Sequence, residues 1–206
     1  MLSKRRRVSM VLKSLKQPMA FAWPALLACT ALAACSKTPA TPDAYVDALV
    51  GGGNGCSTFG SSQTFLQIGT TTNPNSPSTV PDGTGAVSVD CTVAPSGGGY
   101  NLQIGASGPG GGQITISGHV TTAGGTVAAT FVNSTLGAFN AGNCTLTYDF
   151  NRNPVPSSQA ISAGEIFGHI DCTGATEGGG QQNADGTPVT CNASADFLFS
   201  NCADGS

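Results

Sequence analysis

The sequence predicts an all-β domain braced by disulfides, and three observations carry that expectation. Beyond Cys56 apolar residues recur with period two, glycine-rich turn signals punctuate the chain, and six widely spaced cysteines follow one another to Cys202. Short strands joined by tight reversals make an antiparallel β-sandwich of about eight strands the expected architecture, of jelly-roll or immunoglobulin-like type, with a β-barrel as the alternative.

The elements follow in order. Asp43 to Val50 reads as two helical turns, with Thr41 as N-cap, Pro42 at the first position and Gly51 as the stop. It lies in a Ser, Thr, Pro and Gly-rich stretch, 35–55, expected to be a flexible tether ahead of a domain spanning 56–206. The candidate strands are Thr64 to Thr70, Gly85 to Val93, Tyr100 to Ser107, Gln113 to Thr122, Thr126 to Val132, Cys144 to Phe150, Gly164 to Cys172 and Cys191 to Ser200. In the second, Val87, Val89, Cys91 and Val93 share a face; in the fourth, Ile114, Ile116, Gly118 and Val120 do. The opposite faces carry Thr, Ser, Gln, Asp or His, the pattern of an antiparallel sheet packed on one side. Glycine runs such as Gly97 to Gly99 and Gly108 to Gly112 fall between strands, where the chain must reverse.

Cys56, Cys91, Cys144, Cys172, Cys191 and Cys202 form an even set in a chain of export type, hence three expected disulfides out of fifteen possible connectivities. Their gaps are far too wide for the close pairs of a zinc site. Cys172 and Cys191 flank one loop and make the first expected pair; Cys91 with Cys144 and Cys56 with Cys202 follow by elimination.

The first 34 residues obey other rules. They hold six of the eight Lys and Arg residues and no Gly, and Met19 to Ala34 is an uncharged apolar run behind that basic stretch. This is an export signal, too short for a bilayer span and ending in small residues rather than a stop-transfer patch. Its end, Leu32-Ala33-Ala34-Cys35, resembles the lipobox of bacterial lipoproteins. That resemblance implies diacylglycerol on Cys35 and cleavage between Ala34 and Cys35; the alternative is an ordinary signal cleaved nearby. Cys29 has a poorer approach sequence, and Met10 would also serve as a start. Arg5-Arg6-Arg7 resembles a twin-arginine signal, but Ser9 and Met10 break the hydrophobic pair such signals carry. Two or three acyl chains, at about 0.8 kcal/mol per buried methylene, hold a protein on a membrane durably. Ser36 and Lys37 in place of Asp imply, by the same resemblance, sorting to the outer membrane rather than the inner one, with a secreted form as the remaining alternative.

Beyond Ala34 the chain keeps all eleven acidic residues against Lys37 and Arg152, a formal charge of −9 where the whole sequence has −3. Nucleic-acid binding, which rests on clustered cations, is excluded as a function class. The glycine runs lack the Gly-Lys-Ser/Thr ending of a phosphate loop, and no cofactor is expected.

Candidates for chemistry are few. His119 and His169 sit in matching settings, Ile-Ser-Gly-His-Val and Ile-Phe-Gly-His-Ile, both pointing away from the apolar face. If their strands are neighbours, the two imidazoles and Asp171 make a minimal metal or acid/base trio; the plainer reading is exposed polar positions on a sheet. No Gly-x-Ser-x-Gly follows the leader. Asp149, Glu165, Asp171 and Asp196 lie in or beside strands and are the carboxylates available for glycosidase-type pairing. Asn183 to Gly186 resembles part of a calcium loop, but Gln181 and Asn192 stand where an EF-hand needs its first and last ligands. An irregular calcium site would use Glu177 and Asp185; the alternative is an ordinary Asp-Gly turn. No Trp follows Trp23, and only Phe167 and Tyr100 look free to face outward as platforms for a sugar.

The run from Gly164 to Cys172 and the close from Cys191 to Cys202 resemble the ends of uncharacterised envelope lipoproteins of Gram-negative bacteria, a resemblance that brings no activity with it. The expectation is therefore a lipid-anchored envelope domain of structural, adhesion or binding type. Its partners would be the membrane, through the lipid, and an envelope protein or polysaccharide. The rival is an extracytoplasmic hydrolase using carboxylates or the two histidines.

Overall fold

The computed structural model describes residues 40–53, 56, 61–72 and 76–206. The expected leader, with its expected cleavage position at Ala34 and the lipidation candidate Cys35, lies outside the described residues.

The expected all-β, antiparallel, disulfide-bonded domain is what forms. Its strands are β1 (Asp43–Gly51), β2 (Gln63–Ile68), β3 (Val80–Pro81), β4 (Ser88–Ser96), β5 (Gly99–Ser107), β6 (Gly112–Thr121), β7 (Gly124–Asn133), β8 (Gly137–Thr147), β9 (Asp149–Phe150), β10 (Asn153–Pro154), β11 (Ile161–Ser162), β12 (Glu165–Glu177) and β13 (Thr190–Ser200). One turn of helix, α1 (Ser157–Ala160), interrupts them. The main sheet runs β2-β1-β13-β12-β8-β7-β6-β5-β4, so β4 to β8 form a meander and the first strand docks beside the last. Rather than two separate sheets, this one sheet curls into a half-barrel around a single core.

All eight expected strands are present, with β8 starting seven residues earlier than its sequence signal and β12 running five residues past Cys172. The alternation holds: Ile114, Ile116 and Val120 of β6 are buried, while Gln113, Thr115 and Ser117 between them are exposed. The helix expected over Asp43 to Val50 is instead β1, so the compact domain begins before Asp43 and the expected tether is partly sheet. Ala44, Val46, Ala48 and Val50 point into the core, while Tyr45 and Leu49 pack or sit on the opposite face. A strand with apolar residues on both faces loses its period-two signature, and pairing with β13 on one side and β2 on the other outweighs a short run's helical preference.

The curl brings each sheet edge against the opposite half. Along β4, the Val89 N–H donates to Asp82 Oδ1 (2.8 Å), the Val93 N–H to the Ala203 carbonyl (2.9 Å), and the Ala203 and Gly164 N–H groups donate to the carbonyls of Cys91 and Val93. Pro95 has no N–H to expose, so the edge is sealed against pairing with another chain. At the other edge the Asn133 side-chain amide donates to the Phe65 carbonyl (3.1 Å). Gly112 lies so close to that carbonyl that a Cβ there would collide with it, which is why this position is glycine.

The disulfides correct the expected pairing throughout. They join Cys56 to Cys191, Cys91 to Cys202 and Cys144 to Cys172. Cys172 cannot reach Cys191, because β12 continues and its partner across β13 is Ala193. Cys144 stands directly opposite Cys172 on the neighbouring strand, whereas Cys91 is four strands away from it on β4. The Cys91–Cys202 bridge closes the curl by tying the edge strand to the segment after β13. Three such bridges fit an oxidising, extracytoplasmic compartment.

Candidate functional site

The outer face of β1, β13 and β12 carries three successive cross-strand rows. The first, Tyr45, Leu198 and Phe167, is apolar. The second is Asp47, Asp196, His169 and, on β8, Thr147. The third is Leu49, Ser194, Asp171 and Thr145. Alternation with period two sends all of these side chains away from the core.

The chain between β8 and β12 folds back over the first row. Phe150 inserts between Tyr45 (ring centroids 5.3 Å apart) and Phe167 (5.0 Å), and with Val155 and Ala160 it builds a second, smaller apolar cluster on the outer face. Phe167, expected to face outward, is thus buried beneath this excursion. The β9–β10 hairpin turns through Asn151 and Arg152, both with left-handed backbone (φ 48° and 64°). Its tip stands over the second row, where the Asn151 N–H donates to Asp196 Oδ1 (3.4 Å).

That same oxygen accepts a 2.9 Å hydrogen bond from His169 Nδ1, and the two side chains are 27% and 17% exposed. The bond to Asp196 raises the His169 pKa above the usual histidine value; burial opposes it, and the charges of Asp196, Asp149 and Asp171 add to it. Burial, and then the facing charge of Asp196, push the Asp47 carboxyl upward. Burial likewise raises Tyr45, whose hydroxyl accepts from Thr71 Oγ1 (2.7 Å). Tyr148, beside the hairpin, is pushed up to about 12 by burial first and by Tyr100 second, and its hydroxyl donates to the Thr121 carbonyl.

Below the hairpin tip lies a polar groove. One lobe, about 470 Å³, extends past Ser194 toward Gly51 and Ser62; the other, about 520 Å³, extends past Thr145 toward Thr173. Both lobes are walled by Asp149, Arg152, His169 and Asp171. Each is in the size range of small-molecule sites, roughly 300–1,000 Å³.

Of the sequence candidates, His169, Asp171, Asp149 and Asp196 come together here, and Glu165 does not line the groove. His119 does not join them: β7 and β8 separate its strand from β12, and its Nε2 hydrogen-bonds the Ser96 carbonyl (3.0 Å) across the β4–β5 turn. The His119, His169 and Asp171 trio is therefore not assembled. Asp185 is fully exposed and takes hydrogen bonds from the Thr187 hydroxyl (2.6 Å) and N–H (3.0 Å), which lower its pKa. It caps an ordinary Asp-Gly turn, and among the described residues no three His, Cys, Asp or Glu side chains converge as metal ligands. Sequence reasoning missed Asp47, Arg152 and the hairpin. Arg152 was legible as the one cation after Lys37; Asp47 was hidden inside the misread helix.

Among the described residues no helix is long and apolar enough to cross a membrane. No protein-family model, curated protein or solved structure matches the chain.

Proposed function

We propose that this chain is a lipid-anchored cell-envelope protein whose β-domain binds a ligand in the groove under the Asn151–Arg152 hairpin. The observation that carries the reading is the groove itself: side chains from strands remote in sequence, together with a hairpin held down by Phe150, line an open polar groove with a hydrogen-bonded His169–Asp196 pair in its floor. The three disulfides support an exported location, and the Leu-Ala-Ala-Cys ending of the leader supports a lipid on Cys35. Anchoring is tested by palmitate labelling in cells: label is expected on the wild type and on Cys29→Ser and absent from Cys35→Ser. Label persisting on Cys35→Ser removes the anchor from the proposal.

One observation favours a hydrolase as a second reading. A carboxylate on His169 Nδ1 orients an imidazole as general bases are oriented. The two readings separate on His169→Gln, which abolishes hydrolysis but leaves ligand capture by the rest of the groove measurable.

A further inference from the structure

The chemistry of the groove narrows what it can hold, and this step rests on the reading of the groove as a binding site. Among the described residues Leu49 is the one large apolar side chain on its walls, so an apolar ligand would leave the carboxylates desolvated. An anion would meet Asp149, Asp171 and Asp196 with Arg152 as the lone Lys or Arg among the described residues. A polycation suits the acids and donates to the hydroxyls of Ser194, Thr145 and Thr173 at either end, but it faces that guanidinium at the centre of the site and has no acceptor for the N–H groups of Arg152, His169 and Asn192. Hydroxyl groups use all of these partners at once: each donates to a carboxylate and accepts from a guanidinium, imidazole or amide. Hydrogen bonds to ionised partners are about twice as strong as neutral ones, and planar side chains such as Asp and Arg can engage two neighbouring oxygens together.

We infer that the groove takes a neutral oligosaccharide laid across the β1, β13, β12 and β8 rows beneath Arg152. Its vicinal hydroxyls bridge Asp171, Asp149 and Arg152 at the centre, while flanking units occupy the Ser194 lobe and the Thr145 lobe. Two lobes meeting at one set of four shared residues suit a chain of sugar units rather than a single compact ligand. Among the described residues no aromatic ring lines the groove, so affinity comes from hydrogen bonds, which places it on the order of millimolar to tens of micromolar.

The test uses the full-length lipidated protein in a detergent without a sugar headgroup. Three probe classes are titrated: neutral hexose and N-acetylhexosamine trisaccharides, uronate trisaccharides, and spermidine. The readouts are calorimetry and the imidazole NMR signals of His169. Neutral trisaccharides are expected to bind and to shift His169 but not His119. Asp171→Asn is expected to weaken binding at least tenfold, and Thr115→Ala, on the distant β6 face, to leave it unchanged. Asp171 is exposed, so its variant is expected to keep the wild-type NMR spectrum outside the groove. If spermidine or uronates bind the groove more tightly than every neutral sugar, the ligand class is overturned while the binding site stands. If none of the three moves the His169 signals at about 10 mM, both fall.

Discussion

Over β4 to β7 the outer face of the sheet has no roof: Asp90, Gln103, Thr115, Ser117 and Thr126 are exposed, and the first four line an open depression of about 450 Å³. Over β1, β13 and β12 the same face is roofed, with Tyr45 and Phe167 buried under Phe150 and the polar rows beside them closed into a groove. The two halves share one sheet and one inner core, so the difference comes from a single connection, residues 148–164 between β8 and β12. A wet outer face needs only small polar side chains. A roofed one needs apolar anchors on a face that would otherwise be polar, and only there do His, Asp and Arg side chains gather.

The sharpest way to break this contrast is to remove the anchor. Phe150 is 1% exposed and touches both Tyr45 and Phe167, so Phe150→Ala is expected to cost about 3–5 kcal/mol in denaturant unfolding, the range for a buried Phe. The groove then loses its roof, and His169 loses its distinct NMR environment. On the bare half, Thr115→Ala is expected to change stability by no more than about 0.5 kcal/mol. Equal effects on the two faces would mean that the hairpin rides on the sheet without packing into it.

The same contrast decides what could be read from sequence. β5 and β6 are legible because one face is apolar and the other is Gln, Thr, Ser and Asn, so the period is plain. β1 is illegible because Ala-Tyr-Val-Asp-Ala-Leu-Val is apolar toward both layers, and β12 hides its second layer in the single residue Phe167. Disulfide pairing failed for a related reason. Proximity in sequence, Cys172 to Cys191, is a weaker guide than strand order, and strand order depends on β1 and on the curl. His169 and Asp171 were legible as polar residues on an outer face; their partners Asp47 and Asp196 follow only from the register of three strands that are far apart in sequence.

A smaller effect comes from the titration of the second row. Because His169 has a raised pKa in the folded protein, its ion pair with Asp196 contributes fully below the unfolded value of about 6.5 and is lost as pH rises through the folded one. Asp47 is raised as well, so the folded state prefers its protonated form and is weakened as pH rises through the carboxylate range. The two add: stability is expected to be greatest in mild acid and to decline toward alkaline buffer. Denaturation midpoints measured from about pH 5 to about pH 8 should fall in the wild type and flatten in His169→Gln. A slope unchanged by that substitution would assign the titration to another group.

The finest comparison is between two turns. The β4–β5 hairpin, on the bare half, reverses through Gly97 and Gly98 with left-handed φ of 53° and 86°. The β9–β10 hairpin makes the same two-residue reversal through Asn151 and Arg152. Such turns favour Asn then Gly, because a residue with a Cβ in the left-handed region costs roughly 1 kcal/mol and Asn tolerates it best. Asn151 fits that rule; Arg152 breaks it. Arg152→Gly is therefore expected to raise stability by up to about 0.6 kcal/mol in chemical denaturation, after the extra unfolded-chain entropy of glycine is subtracted. If the arginine is held in that conformation for the groove, the more stable variant binds the neutral trisaccharides less tightly, the exchange of stability against function that strained sites display. A gain in stability with undiminished binding would make Arg152 a surface residue on an unfavourable turn, and would leave Asp149, Asp171 and the His169–Asp196 pair as the groups that grip the ligand.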